Sequence, residues 1–259
     1  MKDQYGQISL RHDGHVALLE IDRPPSNFVS VELMRDLADA LEDIDAERSL
    51  RVSVLSAAGK AFCAGADLAS PSGIGGSGMS GINPLYEQAV RLFSTRKPIV
   101  AAVQGAAVGA GLGLTLVADF RVVAPEARFA ANFVKLGFHP GFGITHTLPR
   151  VIGVQRAQLM CLTGRRIKGE EALAWGLADQ MVPLEALRDA ALALAREIAE
   201  NAPLAVESTR ATLREGLAAA VKAQTDHELV EQTRLRATAD FAEGVRSVNE
   251  RRPVVFVGA

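Results

Sequence analysis

The apolar and polar positions near the start of the chain repeat with two different periods. Two β-prone runs flank Asp13 and Gly14 in QISLRHDGHVALLEIDRP, which predicts a hairpin ended by the prolines that follow. The next apolar residues recur at helical spacing, with acidic residues on the opposite face: Leu33, Leu37, Leu41 and Ile44. This pattern predicts an amphipathic helix with Ser30 as its N-cap.

Two later runs are apolar without alternation, which is typical of strands buried on both faces. They are RVSVLSA (51–57) and KPIVAAVQG (97–105). Between them, PSGIGGSGMSGIN (71–83) is dense in Gly and Ser and predicts a mobile loop, either a lid beside a binding site or an inert insertion. LYEQAVRLFS predicts a helix after that loop. The order of strand, helix and strand predicts parallel strands joined by crossover helices.

Helical patterns dominate from about Lys168 onward. Gly, Pro or polar breaks separate four such stretches: GEEALAWG, LEALRDAALALAREIAEN, PLAVESTRATLREGLAAAV and AQTDHELVEQTRLRATADFAEGV. We therefore predict an α/β fold in two parts, a core over residues 1–195 and a helical region over residues 196–259.

Composition and charge narrow the class of protein. The chain has 259 residues, 48% of them hydrophobic, which is enough for a substantial core. A formal net charge of −2 indicates no polyanion-binding surface, so no nucleic-acid partner is expected. The N-terminal stretch lacks the apolar core of a signal peptide and no apolar run is long enough to span a bilayer, so we expect a cytoplasmic protein. Cys63 and Cys161 are spaced neither as a disulfide framework nor as a zinc site, and no metal is expected.

Two loops that follow predicted strands consist mainly of small residues. They are GKAFCAGADL (59–68) and GAAVGAGLG (105–113). Small side chains leave backbone N–H groups accessible, and two such groups aimed at one point stabilise an oxyanion. A helix beginning near Gly111 would aim its positive end at the same point. Glycine before a helix is equally typical of close packing, so the residues alone leave both interpretations open.

Four stretches, in this order, resemble the enoyl-CoA hydratase/isomerase (crotonase) family: RPPSN (23–27), GKAFCAGADL, KPIVAAVQGAAVGAGLGLTLVADFRVVAPEARFA (97–130) and GFHPGFGITHTLPRVIG (137–153). The resemblance implies a crotonase-like spiral of ββα units with a trailing helical region that forms homotrimers, often paired into hexamers. It also implies an acyl-CoA ligand whose thioester carbonyl lies between two backbone N–H groups. No cofactor is expected beyond the coenzyme A of the substrate, and the phosphopantetheine of a carrier protein is the alternative thioester carrier.

Position by position, the resemblance places the two oxyanion donors at Ala66 and Ala110. Only their backbone N–H groups are required, so Ala110 is compatible with this role if its φ is negative. The resemblance also implies a set of substrate-binding residues: Arg23 as a phosphate contact, Ala64, Asp67 and Leu68 against coenzyme A, and Gly111 and Phe133. A solvent-facing Arg after a strand is the alternative for Arg23.

The residues that would transfer protons are replaced in this chain. Hydratases of the family carry glutamates at the positions of Gly113 and Phe133, and related dienoyl isomerases and dehalogenases carry an aspartate at the position of Gly141. Neither Gly nor Phe can transfer a proton. The resemblance therefore predicts the family's thioester chemistry without its standard two-glutamate hydration.

His139, in the loop GFHPGFG, is the leading candidate for an acid or base, with a hydrogen bond to the loop backbone as its alternative role. His146 and Cys63 are weaker candidates. The stretch ADFRVVAPEARFAANFVKLGFHPGFG also resembles a subgroup of the family that decarboxylates glutaconyl-type thioesters. That subgroup places a lysine, often with a tyrosine, soon after the first oxyanion motif, whereas here no lysine follows and Tyr86 is distant in sequence.

Three hypotheses follow from these patterns. The first is an enzyme that forms and protonates a thioester enolate, as a decarboxylase, hydrolase or isomerase, with Ala66 and Ala110 as oxyanion donors and His139 or water handling protons. The second is a catalytically silent acyl-CoA-binding protein. The third is an interaction subunit that keeps the fold for assembly. The first is favoured because both donor loops persist, whereas only the proton-transfer positions have changed.

Overall fold

The computed structural model describes residues 1–66 and 84–259. The loop predicted over residues 71–83, together with Asp67 and Leu68, lies outside the described residues. The described strands are β1 (Gln4–Tyr5), β2 (Ile8–Asp13), β3 (Val16–Ile21), β4 (Val52–Ala57), β5 (Ile99–Val103), β6 (Ala106–Val108), β7 (Phe120–Val123), β8 (Arg128–Ala130), β9 (Arg166–Lys168) and β10 (Gln180–Met181).

The described helices are α1 (Val31–Ala46), α2 (Pro84–Phe93), α3 (Ala110–Val117), α4 (Ile144–Ile152), α5 (Val154–Thr163), α6 (Gly169–Trp175), α7 (Leu187–Ala199), α8 (Pro203–Leu213), α9 (Leu217–Arg236) and α10 (Ala239–Asn249). Two short 3₁₀ helices, Asn132–Leu136 and Leu184–Ala186, connect other elements. Within the described ranges, no helix combines the length and the apolar character needed to cross a membrane.

A seven-stranded sheet with the order β1-β2-β3-β4-β5-β7-β10 forms the centre of the fold. The predicted hairpin is confirmed, because β2 and β3 are antiparallel with Leu10 opposite Leu19. From β3 onward neighbouring strands are parallel, as the alternation of strands and helices predicted. A smaller sheet with the order β6-β8-β9 lies outside the main one.

Apolar side chains cover both faces of the main sheet. On one face, Leu19 and Leu55 pack in the larger core with the apolar side of α1. On the other face, Val54 and Val100 pack with Ala191 and other small residues of α7. Burial on both faces accounts for the continuous apolar runs of β4 and β5.

The amphipathic helix predicted after the hairpin is α1. Its N-cap is Ser30, whose hydroxyl accepts a hydrogen bond from the backbone N–H of Leu33 at 3.2 Å. Its buried residues include those that the periodicity selected: Leu33, Leu37, Leu41 and Ile44. The stripe of apolar residues thus sets which side of the helix meets the sheet.

Two of the helical stretches predicted near the C-terminus are each divided into two helices. In the first stretch, α8 ends at Leu213 and α9 begins after Gly216, which adopts a φ of 73°. The second breaks at Thr238, whose hydroxyl accepts from the N–H of Phe241 at 3.1 Å and caps α10. A left-handed glycine and a Thr N-cap are both local stop signals, and they outweigh the continuous helical periodicity.

The predicted boundary between residues 195 and 196 falls inside α7, which packs on the sheet and belongs with it. The helices after the sheet are therefore α8, α9 and α10. Of these, α9 contacts α2 and α4, and α10 contacts the Asn132–Leu136 helix. The division of the chain into two parts stays a prediction.

Asp119, at the end of α3, ties α8 to the sheet. Its carboxylate accepts from the backbone N–H of Ile99 at 2.8 Å and forms ion pairs with Arg210 at 2.9 Å and Arg214 at 3.0 Å. Only 7% of the Arg210 side chain is exposed, so its charge depends on this carboxylate. Removing one partner of such a buried ion pair is strongly destabilising, because the remaining charge is left buried without compensation.

We expect Asp119→Ala to lower the free energy of unfolding by about 3–5 kcal/mol, the cost of stranding a buried charge. The control is Asp13→Ala, which breaks the exposed Asp13–Arg196 pair and should cost no more than about 1 kcal/mol. Urea denaturation of the variants and the wild-type protein measures both effects. Equal losses in the two variants would contradict the anchoring role of Asp119.

Candidate active site

The first small-residue loop is held by Asn27, the last residue of RPPSN. Asn27 is fully buried and adopts a φ of 49°. Its side-chain amide donates to the carbonyls of Ala58 and Ala61, at 2.8 Å each, and its oxygen accepts from the N–H of Arg23 at 3.0 Å. The Asn27 side chain therefore fixes the loop that follows β4, although it lies outside the cavity described below.

A second buried amide and a glycine fix the same loop from the β5 side. Gln104 Nε2 donates to the carbonyls of Ala57 at 2.8 Å and Ala61 at 3.0 Å. At Gly105 a β-carbon would lie 1.9 Å from the carbonyl oxygen of Lys60. Only glycine allows this approach, so the two loops contact each other through their backbones.

Backbone hydrogen bonds join the two loops directly. The N–H of Cys63 donates to Ala106 at 2.8 Å, and the carbonyl of Cys63 accepts from Val108 at 3.0 Å. The carbonyl of Cys63 also packs on Gly111, where a β-carbon would lie 2.0 Å from its oxygen. Glycine at residue 111 thus allows α3 to lie close to the first loop. Gly111 was predicted to bind substrate, but it is not among the described residues that line the cavity.

The two predicted oxyanion donors border one cavity of about 90 Å³. Ala110 is the first residue of α3 and has no positive φ, so the condition for Ala at this position is met. The preceding Gly109, with a φ of 56°, turns the chain into the helix. Among the described residues, no hydrogen bond engages the backbone N–H of Ala66 or Ala110. The described part of the chain therefore leaves both groups without a partner.

The cavity walls are mainly apolar. Its described lining residues are Ala64, Gly65, Ala66, Leu85, Tyr86, Val108, Gly109, Ala110, Asn132, Phe133, Leu136, Phe138, Gly141, Phe142 and Gln232. Of the predicted substrate-binding residues, Ala64 and Phe133 are in this set, whereas Arg23 is not. The Arg23 guanidinium donates to the carbonyl of Phe28 at 3.0 Å, and its contact with a phosphate stays a prediction.

Aromatic groups occupy the space beside two of the positions at which the resemblance implies acids in other members of the family. A β-carbon at Gly113 would lie 2.5 Å from Cδ1 and 2.8 Å from Cβ of Phe142. A β-carbon at Gly141 would lie 2.0 Å from the hydroxyl oxygen of Tyr86. At the third position Phe133 itself lines the cavity. Aromatic groups thus occupy the space at or beside all three positions.

His139 is not among the described residues that line the cavity. Its Nδ1 lies 2.8 Å from the carbonyl oxygen of Pro140, and its ring meets the ring of His227 edge-on, with centroids 6.1 Å apart. Only its backbone carbonyl points to a cavity residue, accepting from Gln232 Nε2 at 3.0 Å. The geometry does not add support for His139 as a proton-transfer group, and that role stays a prediction.

The weaker candidates also lie outside the set of described lining residues. Cys63 is completely buried, and burial raises the pKa of its thiol to about 11, so the thiol stays protonated at neutral pH. His146 lies within α4, where burial and the neighbouring Arg150 lower its pKa. Within the described ranges, no cluster of His, Cys, Asp or Glu could hold a metal ion.

Sequence reasoning missed the polar side chains that the fold brings to the cavity. Tyr86 on α2 donates to Gln232 Oε1 on α9 at 2.8 Å, across 146 positions of sequence. Asn132 also lines the cavity, and its side chain has no hydrogen-bond partner among the described residues. Patterns along the sequence carry no signal for such long-range pairs, but the i, i+4 spacing of Glu228 and Gln232 marks one polar face of α9.

Glu228 on α9 binds the loop that carries part of the cavity wall. Its carboxylate accepts from the backbone N–H of Gly143 at 2.8 Å and from the hydroxyl of Thr145 at 2.6 Å, at the start of α4. Burial raises the pKa of Glu228 to about 7, against an ordinary value of 4.5, although these hydrogen bonds oppose the shift. This residue therefore titrates near neutrality while it holds the loop that carries Gly141 and Phe142.

Comparisons with known proteins identify relatives of this chain. The sequence profile described as enoyl-CoA hydratase/isomerase matches residues 11–259. A probable enoyl-CoA hydratase of Mycobacterium tuberculosis, EchA14, is 37% identical over 234 residues, 90% of this chain and 91% of the relative. The 1,2-epoxyphenylacetyl-CoA isomerase of Escherichia coli is 34% identical over 252 residues, 94% of this chain and 95% of the relative.

Solved structures show the same likeness. An enoyl-CoA hydratase/isomerase from Pseudoalteromonas atlantica T6c superposes with a TM-score of 0.88 at 30% identity, covering 97% of this chain and all of the other. A carnitinyl-CoA hydratase from Mycobacterium avium gives a TM-score of 0.87 at 31% identity, covering 98% of this chain and 99% of the other. The predicted crotonase-like α/β fold is thereby confirmed.

We expect Gly113→Ala to destabilise the protein by about 1–3 kcal/mol, because the added methyl group overlaps the Cβ of Phe142, which cannot move without the backbone. The same change in a Phe142→Gly background should cost much less. Urea denaturation of the wild-type protein, both single variants and the double variant measures the coupling energy. Additive losses would show that Phe142 does not fill the space beside residue 113.

We expect Glu228→Gln to remove a pH dependence of stability. Folded Glu228 has a raised pKa, so its contribution to the free energy of unfolding is complete below pH 4.5 and is lost as the pH rises through about 7. Stability of the wild-type protein relative to the variant should therefore fall between pH 4.5 and 8, by at most about 3 kcal/mol. Urea denaturation across this range measures the difference.

Glu231→Gln on the same helix is the matched control. Arg234 lowers the pKa of Glu231, so the stabilising effect of this carboxylate is present above its ordinary pKa of 4.5 and is lost as the pH falls further. Glu231→Gln should therefore show almost no slope between pH 4.5 and 8, and a slope of the opposite sign only below pH 4.5. A pH-independent difference for Glu228→Gln would contradict the titration of Glu228 near neutrality.

Proposed function

This chain belongs to the enoyl-CoA hydratase/isomerase family, and from that premise we propose that it is an enzyme that stabilises a thioester enolate of an acyl-CoA. In this proposal the thioester oxygen lies between the backbone N–H groups of Ala66 and Ala110. The coenzyme A moiety is part of the substrate, and no other cofactor takes part. Arg23, Asp67 and Leu68 contact coenzyme A, as the resemblance implies.

The proposal is supported most strongly by the unpaired backbone N–H groups of the two proposed donors. Each N–H lacks a partner among the described residues, both residues border the same cavity, and Ala110 stands at the N-terminus of α3. The positive end of the helix adds to the stabilisation of a negative charge there. Donors fixed in advance need no reorganisation when the enolate forms, which is why such sites lower a barrier by several kcal/mol.

Proton transfer in this proposal differs from two-glutamate hydration. No acid stands at Gly113, Phe133 or Gly141, and aromatic groups fill the space beside them. A decarboxylase fits such a site better than the addition of water to a double bond, because its enolate forms when carbon dioxide leaves and then needs only one proton. An isomerase must remove and return a proton, and a hydrolase would use the same two donors for a tetrahedral oxyanion with water as the nucleophile; both remain within the proposal. The alternative is a catalytically silent acyl-CoA-binding protein, which the same replacements would also permit.

We further propose that the chain assembles as a homotrimer or a dimer of trimers through the helices after α7. The support is a groove of about 1050 Å³ between α8 and the core and several exposed apolar side chains on these helices. They are Leu204, Leu213, Val230 and Val248. Apolar residues exposed in this number on neighbouring helices are typical of subunit contacts.

Ala110→Pro tests the oxyanion hole, because proline removes the N–H at a first helical position, where its fixed φ is tolerated. The assay follows exchange of the α-protons of butyryl-CoA for deuterium by NMR, which reports enolate formation. We expect exchange to fall by a factor of about 10²–10³, with thioester affinity measured by calorimetry nearly unchanged.

The matched control is Ala110→Gly, which keeps the N–H and should keep the exchange. Equal exchange in the proline and glycine variants would remove Ala110 from the mechanism. If the wild-type protein binds the thioester but supports no exchange, the silent binding protein is the better description. If butyryl-CoA and other CoA thioesters fail to raise the melting temperature, neither description holds, since a ligand of the native state must stabilise it.

A further inference from the structure

The two proposed donors have fixed orientations. The carbonyl of Gly65 accepts from the backbone N–H of Val29 at 2.9 Å, and the carbonyl of Gly109 accepts the first hydrogen bond of α3 at 3.1 Å. In a trans peptide the C=O and N–H groups point in opposite directions. The N–H of Ala66 is therefore turned away from Val29, and the N–H of Ala110 is turned outward from the N-terminus of α3.

Two donors satisfy a carbonyl oxygen but not an enolate oxygen. A carbonyl oxygen has two lone pairs, which two N–H groups can fill. When an enolate forms, a further electron pair moves onto that oxygen, which becomes negatively charged and can accept a third hydrogen bond. A third donor would therefore stabilise the charged state more than the bound substrate, which is the condition for raising a rate rather than an affinity.

The fold places Asn132 beside Ala110. Strands β6 and β8 are parallel neighbours, with Val108 paired to Ala130, so the residues that follow the two strands lie at the same edge of the small sheet. The backbone N–H of Gly109 donates to the carbonyl of Ala130 at 2.8 Å. The Oδ1 atom of Asn132 lies 3.8 Å from the place of a β-carbon on Gly109, the residue before Ala110. The side-chain amide thus lies next to the peptide that carries the proposed donor.

Asn132 is the unpaired polar side chain of the described cavity wall. The other polar side chains there, Tyr86 and Gln232, bond each other at 2.8 Å, and Gln232 Nε2 donates to the carbonyl of His139 at 3.0 Å. Asn132 is half-buried and has no hydrogen-bond partner among the described residues. An amide in a mainly apolar cavity is stabilised by pairing with a ligand. Because no hydrogen bond fixes the amide, a half-turn about χ2 can exchange Nδ2 for Oδ1.

Tyr86 does not supply the third hydrogen bond. The carbonyl of His139 can only accept, so the amide of Gln232 turns Nε2 toward it and Oε1 toward the Tyr86 hydroxyl. The Tyr86 proton is therefore engaged by Gln232. Burial raises the pKa of Tyr86 well above its ordinary value, so the phenol also stays neutral.

We propose that Asn132 is a third oxyanion donor, which gives a hydrogen bond from Nδ2 to the thioester oxygen as this oxygen becomes an enolate. This inference rests on the proposed function, because it places the thioester oxygen between Ala66 and Ala110. The amide keeps its proton throughout. In the exchange reaction the α-carbon loses a proton to water, the electron pair of that C–H bond forms a carbon–carbon double bond, and the π pair of the carbonyl moves to oxygen. A deuteron from the solvent then adds to the α-carbon as these electron pairs return.

Asn132→Ala tests this donor in the exchange of the α-protons of butyryl-CoA. We expect exchange to fall about 10- to 100-fold, the effect of one hydrogen bond to a charged group. Affinity for butyryl-CoA, measured by calorimetry, should stay nearly unchanged, because the neutral carbonyl already has two donors. The matched control is Asn249→Ala, which removes an exposed amide at the end of α10 and should keep the exchange.

Acetoacetyl-CoA gives a second measurement that needs no turnover. Its ionised form is a stable enolate, and the ultraviolet absorbance of the bound ligand reports the ratio of enolate to neutral form. We expect the wild-type protein to raise this ratio above its value in water at the same pH, and Asn132→Ala to lower the ratio about tenfold from the wild-type value. A loss of packing alone would not change the ionisation of the ligand.

Asn132→Leu keeps the side-chain volume while it removes the donor, and it should behave as Asn132→Ala does. Circular dichroism confirms that each variant is folded before the measurements are compared. If Asn132→Ala does not fold, Asn132→Leu carries the test.

The outcomes separate this inference from the proposed function. If the wild-type protein exchanges the α-protons and the Asn132 variants exchange them equally fast, the third donor is refuted and the proposed function stands. A variant that lowers the enolate ratio of acetoacetyl-CoA but not the exchange of butyryl-CoA also overturns the inference, because the amide then contacts the ketone oxygen that butyryl-CoA lacks. An affinity for butyryl-CoA that falls as far as the exchange does so too, since Asn132 then binds the neutral substrate equally well. A wild-type protein that neither exchanges protons nor stabilises the enolate refutes the proposed function, and the inference falls with it.

Discussion

The carbonyl of Cys63 is the contact on which the site depends. It accepts from the N–H of Val108 and lies against Gly111, where no β-carbon would fit. These two contacts bring the loop after β4 to the N-terminus of α3, so Ala66 and Ala110 border one cavity. Asn27 and Gln104 fix the carbonyls of the first loop and thereby preserve this approach. The proposed functional groups are backbone atoms, so their position is set by the fold itself.

A site made of backbone donors can keep its geometry when its side chains change. Glycine at residue 113 makes room for Phe142, which occupies that room with a φ of 63°. A bulky residue with such a φ is strained, and strain of this kind persists only where the surrounding structure enforces it. The surroundings here are the buried side chain of Phe142 itself and the loop that Glu228 holds at Gly143. Restoring a carboxylate at residue 113 therefore requires the removal of Phe142 as well.

The parts of the fold that local patterns encode could be predicted from the sequence. The hairpin, the Ser30 cap of α1 and the buried strands follow from turn residues and hydrophobic periodicity. The breaks at Gly216 and Thr238 were local signals too, but a continuous helical period concealed them. The pairing of Tyr86 with Gln232 could not be predicted, because it joins two helices through tertiary packing alone. Likewise, no pattern shows that Phe142 fills the space beside Gly113.

The helices after α7 are part of the site as well as candidates for assembly. On α9, Glu228 binds Gly143 and Thr145, and one turn later Gln232 binds Tyr86 and the carbonyl of His139. One face of this helix thus fixes both ends of the loop over residues 139–145, which supplies Gly141 and Phe142 to the cavity wall. Helix α10 adds Phe241 against Phe138, with ring centroids 5.1 Å apart. Because α9 holds one wall of the cavity while α3 carries the proposed donor Ala110, a change in the packing of α9 would alter which acyl group fits the proposed site without moving the proposed oxyanion donors.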